Sequence, residues 1–285
     1  VNPKPEQLGA REQPEVVPWG GGIPEEDEDN LIPLPWNDLD LVTRVIETRH
    51  HEIGAIITEP VMCNQGCIEP LPGFLQGLRD LCDQYDIALI FDEIITGFRL
   101  DLGGAQAHYG VTPDLSLFGK AMACGFPISA IVGKDRFMKP LETSEVYHAG
   151  TLNGNNACVA AALKTIELLE ANDAQALRHI FNLGCLLRDG LRDIATSTSV
   201  PMRVTGPGPM VHVSLGGAER VNDYRDLQAD DSALYGEFCE RMLAHNIRLI
   251  GRGLWYVSAA HTEEDIERGL ATVRSVLAEM FLVTS

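Results

Sequence analysis

The segment Ile87-Ala88-Leu89-Ile90-Phe91-Asp92-Glu93 is a short apolar run that stops on two acids. It is too short for a buried helix and lacks a helical period, so it reads as a strand covered on both faces. Two more runs have the same form. Ile53 to Thr58 ends on Glu59-Pro60, and Leu115 to Phe118 ends on Gly119-Lys120. Between the first two runs, Phe74, Leu75, Leu78, Leu81 and Cys82 recur at helical spacing and predict a helix over 73–85. Upstream, Asn37 reads as an N-cap for a helix carrying Leu39, Val42, Val45 and Ile46. A further strand is expected from Ile128 to Val132. Strands alternating with helices predict an α/β fold, a mostly parallel sheet with helices on both faces.

The character changes after Gly154. Long helical patterns over 155–172 and 174–195 lead to short strands at 202–206 and 210–215. A helix at 231–245, strands at 247–250 and 255–258, and a last helix from Glu263 follow. This section reads as a smaller C-terminal α+β domain. The expected organisation is an extended lead-in (1–36), a large domain (37–195) and a small domain (196–285). The lead-in is rich in proline and carries Gly20-Gly21-Gly22 and the acidic cluster Glu25 to Asp29, with no period. Its Trp19, Leu31, Ile32, Leu34 and Trp36 suggest a segment lying along a surface.

With 22 Lys+Arg against 41 Asp+Glu, the net charge is −19, which argues against nucleic acid or an anionic membrane as partner. No apolar run approaches the ~20 residues of a membrane-spanning helix. Val1-Asn2-Pro3 opens no apolar leader, so no signal peptide is expected, and the start reads as an interior stretch of something longer. The seven scattered cysteines suit reduced cytoplasmic thiols rather than a disulfide framework. Cys63 and Cys67, with His50 and His51 upstream, lack a second close ligand pair, so no metal site is expected.

In a parallel sheet the carboxyl ends of the strands share one edge, and ligands bind in the crevice beside it. Glu59, Asp92 and Lys120 each follow an apolar run and would meet there. Each alone could simply cap a strand. A lysine desolvated at such an edge can lose its proton and form a Schiff base. A neighbouring carboxylate can hold a pyridinium nitrogen protonated, and the two together are the minimum that pyridoxal phosphate chemistry asks of a protein.

Four ordered stretches resemble class III aminotransferases: Ile90-Phe91-Asp92-Glu93-Ile94-Ile95-Thr96-Gly97-Phe98-Arg99, then Pro113-Asp114-Leu115-Ser116-Leu117-Phe118-Gly119-Lys120 with Gly125-Phe126-Pro127-Ile128, His148-Ala149-Gly150-Thr151-Leu152-Asn153-Gly154-Asn155, and Ala260-His261-Thr262-Glu263-Glu264-Asp265-Ile266. The likeness runs from about residue 35 to the end and is to the branch containing glutamate-1-semialdehyde 2,1-aminomutase. It implies an aspartate-aminotransferase-like large domain of pyridoxal-phosphate fold type I, incomplete in this chain, and pyridoxal 5'-phosphate as cofactor. Lys120 resembles the Schiff-base lysine and proton carrier, and Asp92 the partner of the pyridine nitrogen. Ile94 resembles the apolar residue on a ring face. Glu59 matches a strand-end glutamate near the ring, and Asn64 a cofactor-proximal position. Thr151, beside Gly150, resembles the threonine that reaches the phosphate across a homodimer interface. His148 is expected to be a hydrogen-bonded loop residue.

Three departures accompany the likeness. The family's phosphate-binding Gly/Ser loop at a helix N-terminus is expected upstream of Val1, and Gly20-Gly21-Gly22 opens no helix that could replace it. Gly251-Arg252-Gly253-Leu254-Trp255-Tyr256 lacks the glutamate of the aminomutase. Arg252 is offset from the arginine that grips the carboxylate of the acceptor in many transaminases. The expected function is pyridoxal-phosphate-dependent transfer of an amino group between an amino acid or amine and a keto acid or aldehyde. The alternatives are an aminomutase or amino-acid racemase on the same fold, or a non-catalytic fragment or subunit.

Overall fold

The computed structural model describes residues 3–281 apart from Trp19 and Ser199. In chain order the elements are β1 (Gly9–Ala10), β2 (Gln13–Pro14), α1 (Glu25–Glu28), α2 (Leu39–Arg49), β3 (Ala55–Thr58), α3 (Phe74–Tyr85), β4 (Ala88–Asp92), α4 (Gly104–Tyr109), β5 (Leu115–Phe118), β6 (Ala130–Gly133), α5 (Asp135–Glu142), α6 (Asn156–Thr198), β7 (Met202–Thr205), β8 (Met210–Leu215), α7 (Ser232–Ala244), β9 (Leu254–Tyr256) and α8 (Glu263–Phe281). They build three sheets: the β1–β2 hairpin, a four-stranded sheet ordered β3-β4-β5-β6, and a three-stranded sheet ordered β7-β8-β9.

In the four-stranded sheet β3, β4 and β5 are parallel and β6 runs antiparallel to β5. Thr58 pairs with Phe91 and Asp92 with Leu117, so the residues that follow β3, β4 and β5 emerge at the same edge. Leu89 and Phe91 alternate onto one face of β4 and bury against Val42 and Ile46 of α2 and Phe74, Leu78 and Leu81 of α3. Phe118 packs with Met122, Ala123 and Ala162 in a separate cluster.

The expectation that Ile53–Thr58 is a buried strand is corrected. β3 has no buried residue, and Ile57 is 61% exposed. It is an edge strand, paired on one side only. The helix cap also differs. Asp38, not Asn37, caps α2, its Oδ1 accepting from the Leu41 N–H at 3.1 Å. Asn37 instead takes a left-handed backbone (φ 62) and ties three segments, donating to the carbonyls of Glu69 and Asn222 and accepting from the Leu71 N–H.

The lead-in is fastened to the body. Arg225 donates to the carbonyls of Leu8, Gly9 and Ala10, and Arg11 pairs with Asp38 and Asp223. Trp36 buries edge-on against Phe74 at 4.8 Å, while Trp19 lies outside the described residues.

The two expected helices over 155–172 and 174–195 form α6, interrupted where Ala171, Asn172, Asp173 and Ala174 leave helical geometry. After that break Leu183, Leu187, Leu191 and Ile194 join the core of the small sheet, with Val211, Val213, Phe238, Trp255 and Val273. Residues 247–250 form no strand, and β9 pairs with β8 in antiparallel register. Among the described residues no helix is long and apolar enough to cross a membrane, and no group of three or more His, Cys, Asp or Glu is placed to hold a metal ion.

Candidate active site

The chain leaves β4 through two acids that meet opposite fates. Glu93 turns into the interior and is fully buried. Its carboxylate accepts from the Thr96 hydroxyl (2.7 Å), the Ala105 and Gln106 N–H groups (2.6 and 3.0 Å) and the Gln106 amide (3.3 Å). It thereby caps the first turn of α4. Gly104 (φ +73) is obligatory beside it, because a Cβ there would stand 2.5 Å from Glu93 Oε2. Asp92 is half-buried, accepts only the Ile94 N–H at 3.0 Å, and forms no ion pair among the described residues.

Glu59, one residue past β3, lies beside Asp92. Burial, followed by the negative charge of Asp92, pushes its carboxyl up to about 7 against hydrogen bonds from the Cys63 N–H (3.2 Å) and from Asn64. The loop that supplies those donors is closed by reciprocal backbone hydrogen bonds between Met62 and Ile68. It is pinned to the small sheet. Thr205 Oγ1 donates to the Gly66 carbonyl (2.5 Å), and Cys63 and Cys67 bury against Met210. Hydrogen bonding to Cys67, with burial, holds the Cys63 thiol well above its ordinary value.

Lys120 follows Gly119 into a single 3-10 turn, Lys120–Ala123, with a left-handed backbone (φ 41) rare for a residue with a side chain. The expectation of a desolvated lysine is corrected. Lys120 is exposed and makes no hydrogen bond or ion pair among the described residues, while Met122 and Ala123 of the same turn bury against Ala162 of α6. Ile94 packs against the same turn. A Cβ on Gly119 would come within 3.0 Å of Ile94 Cδ1, so glycine there lets the two strand ends approach.

The structure thus gathers Glu59, Asn64, Asp92, Ile94 and Lys120 at one edge. It does not bring Gly150 or Thr151 to them by hydrogen bonding. Both lie in an exposed turn ahead of α6, where His148 Nε2 stands 3.3 Å from the Asn153 amide. Asn155 caps α6 through the Ala157 and Cys158 N–H groups. Sequence reasoning assigned no role to Glu93, whose signal was a second acid at a buried strand end. It also missed Arg99, whose guanidinium lies over the Tyr256 ring at 4.6 Å and joins the large sheet's edge to β9. Burial lowers that guanidinium below its ordinary value. Arg252 is exposed.

Asp114 braces the edge from below. Burial alone would raise its carboxyl. The Leu89 N–H (2.8 Å), Lys134 (2.8 Å) and Arg79 (2.9 Å) together hold it below the ordinary value.

A Lys amine, an unpaired carboxylate and an apolar side chain on a glycine turn are the donor set that pyridoxal phosphate asks of a strand edge, so the residues present fit that group. Residues 30–268 match the family model described as aminotransferase class-III. The chain is 39% identical over 266 residues to glutamate-1-semialdehyde 2,1-aminomutase of Methanothermobacter thermautotrophicus, covering 92% of this chain and 62% of that protein. The chain therefore spans less than two thirds of that relative's length. Among solved structures it is similar to an omega-transaminase from Sphaerobacter thermophilus, with a TM-score of 0.86 and 31% identity over 93% of this chain and 61% of that one. It is also similar to a glutamate-1-semialdehyde-aminomutase from Pseudomonas aeruginosa PAO1 in complex with PMP, with a TM-score of 0.77 and 27% identity over 87% and 56% of the two chains.

Proposed function

The chain belongs to the class III aminotransferase family, and we propose that it supplies the lysine and carboxylate side of a pyridoxal-phosphate-dependent site that transfers an amino group between an amino acid or amine and a keto acid or aldehyde. One observation carries the reading. Glu59, Asp92 and Lys120 stand at the carboxyl ends of three neighbouring parallel strands at one edge, with Ile94 against the Gly119 turn. Pyridoxal phosphate, when bound, supplies an electron sink for the carbon that bears the amino group.

The chain's own residues do the rest. Asp92 has no competing cation, so its carboxylate is free to hold a proton at a pyridine nitrogen. Ile94 offers an apolar surface to a ring face. The Lys120 amine, uncommitted to any ion pair, carries a proton between carbon atoms at the edge. Thr151 and the Gly150 N–H are hydrogen-bond donors suited to a phosphate, reached from a second subunit. Exposed Tyr147 (88%) and Leu152 (78%) beside that turn support a homodimer, because a large apolar surface is costly when left in water. In this reading residues 37–195 are the cofactor domain and 196–285 the small domain.

The test is borohydride reduction of the protein with pyridoxal phosphate, followed by peptide mass mapping. One pyridoxyl group on Lys120 is expected, with Lys164 on α6 as negative control. Label on another lysine with Lys120 untouched overturns the assignment.

The aminomutase reaction is the second reading, favoured by the name of the relative at 39% identity. Glutamate-1-semialdehyde offered alone separates the two. Isomerisation without a second substrate supports the mutase, whereas a requirement for a keto acid supports transfer.

A further inference from the structure

Glu59 and Asp92 end neighbouring parallel strands in register, since Thr58 pairs with Phe91. Neither carboxyl forms an ion pair with any Lys, Arg or His among the described residues. The charged and titratable groups seen to act on Glu59 are Asp92 from β4 and the Cys63 thiol from the following loop, and Arg99, which acts on that thiol, forms no ion pair with Glu59. Two carboxylates brought together in a half-buried place without a paired cation resist a second negative charge, so one proton is held on the pair to a higher pH than on a lone carboxyl.

Which member keeps it follows from the surroundings. Aspartate is intrinsically the stronger acid. Asp92 accepts a hydrogen bond from the Ile94 N–H. Glu59 receives the Cys63 N–H and Asn64, and burial with the neighbouring charge outweighs these donors and lifts it to about 7.

We propose that Glu59 is a positioning residue that keeps its proton beside Asp92 through the mildly acidic range up to neutrality, so that the pair presents one negative charge, not two, at the strand edge there. A site of charge −1 matches a single pyridinium cation, and a neutral Glu59 leaves Asp92 no anionic rival for it. This rests on the proposed cofactor site, because the single charge has a purpose only if a cationic ring is bound there. The proton itself can be measured in the protein without cofactor.

The experiment is carboxyl 13C NMR across pH on the full protein labelled at glutamate and aspartate side chains, first free of pyridoxal phosphate and then loaded. One glutamate is expected to titrate about two pH units above an ordinary carboxyl and to lose its signal in Glu59→Gln. In Asp92→Asn its midpoint should fall by about one unit or more as the neighbouring charge disappears. Glu59→Gln, an uncharged mimic of the protonated acid, should keep the visible spectrum of the loaded protein and make it invariant near pH 7. A Glu59 that titrates in the ordinary range, or whose midpoint ignores Asp92→Asn, overturns the proposal. If Glu59→Gln does not fold, the wild-type and Asp92→Asn titrations decide it between them. A normal Glu59 alongside clean labelling of Lys120 would reject the shared proton and leave the cofactor site standing. A shifted Glu59 with no labelling of Lys120 would do the reverse.

Discussion

Every residue of β8 is buried, and no residue of β3 is. The two strands stand for two kinds of region. The small sheet is closed on itself by α7, α8 and the second half of α6, and it holds paired polar groups beside buried atoms that have no hydrogen-bond partner among the described residues, Arg203 Nε, His212 Nδ1 and Ser214 Oγ. Trp255 Nε1 donates to the Tyr235 hydroxyl at 2.9 Å, and Arg203 forms a paired salt bridge with Asp230. The four-stranded sheet is finished on the face covered by α2 and α3 but open along β3. At its carboxyl edge Glu59, Asp92 and Lys120 form no ion pair among the described residues. A region closed over its own apolar core serves stability. A region that leaves an amine and a carboxylate unpaired can also bind and react.

Five experiments press on that contrast. Lys120→Ala should lower the rate of amino-group exchange by about 10²–10⁴-fold or more while leaving the thermal midpoint unchanged, since the side chain holds nothing in the fold. A drop in stability matching the drop in rate would mean that the edge is structural. Phe238→Ala, in the middle of the small-sheet core, should cost about 3–5 kcal/mol in urea unfolding, by lost burial and a residual cavity. Gly104→Ala forces a Cβ onto the Glu93 carboxylate and into a left-handed backbone, and should destabilise by about 1–3 kcal/mol. Survival of that variant at wild-type stability would show that the Glu93 cap is dispensable.

The fourth experiment is a pH series on the cofactor-free protein. The folded Glu59 carboxyl sits near 7, above its ordinary value of 4.5. Its contribution is therefore fully present below the unfolded value and is lost as pH rises through the folded one. Urea midpoints should fall between about pH 5 and pH 8, and Glu59→Gln should flatten that fall. The smallest effect is expected for Ile57→Ala on β3, within about 0.5 kcal/mol, because the side chain is already in water. A loss as large as that of Phe238→Ala would erase the distinction between the two sheets.

Much of the candidate site was legible in the sequence. Glu59, Asp92 and Lys120 were found because a buried parallel strand must end, and its carboxyl end is where a crevice opens. The resemblance added Ile94, and the Gly119 turn gives it a neighbour. Other features were not readable, for reasons that lie in tertiary contact. Asn37 looked like a cap by residue type, but the choice between it and Asp38 was made by distant carbonyls at Glu69 and Asn222. The stretch 247–250 has strand-like composition and finds no partner strand. The expected domain boundary near 195 falls inside a helical segment whose side chains already pack on the small sheet.

The sequence by itself determined the order of β3, α3, β4 and β5, the parallel character of those strands, the family, and the three strand-end residues. These follow from local periodicity and from where apolar runs stop. Only the tertiary structure decided that β3 is an exposed edge, that Arg99 lies over Tyr256, that Glu93 is consumed by α4, and that Glu59 shares its surroundings with Asp92. Burial and charge proximity belong to pairs of residues far apart in the chain, and a local pattern carries no term for the partner that will be there.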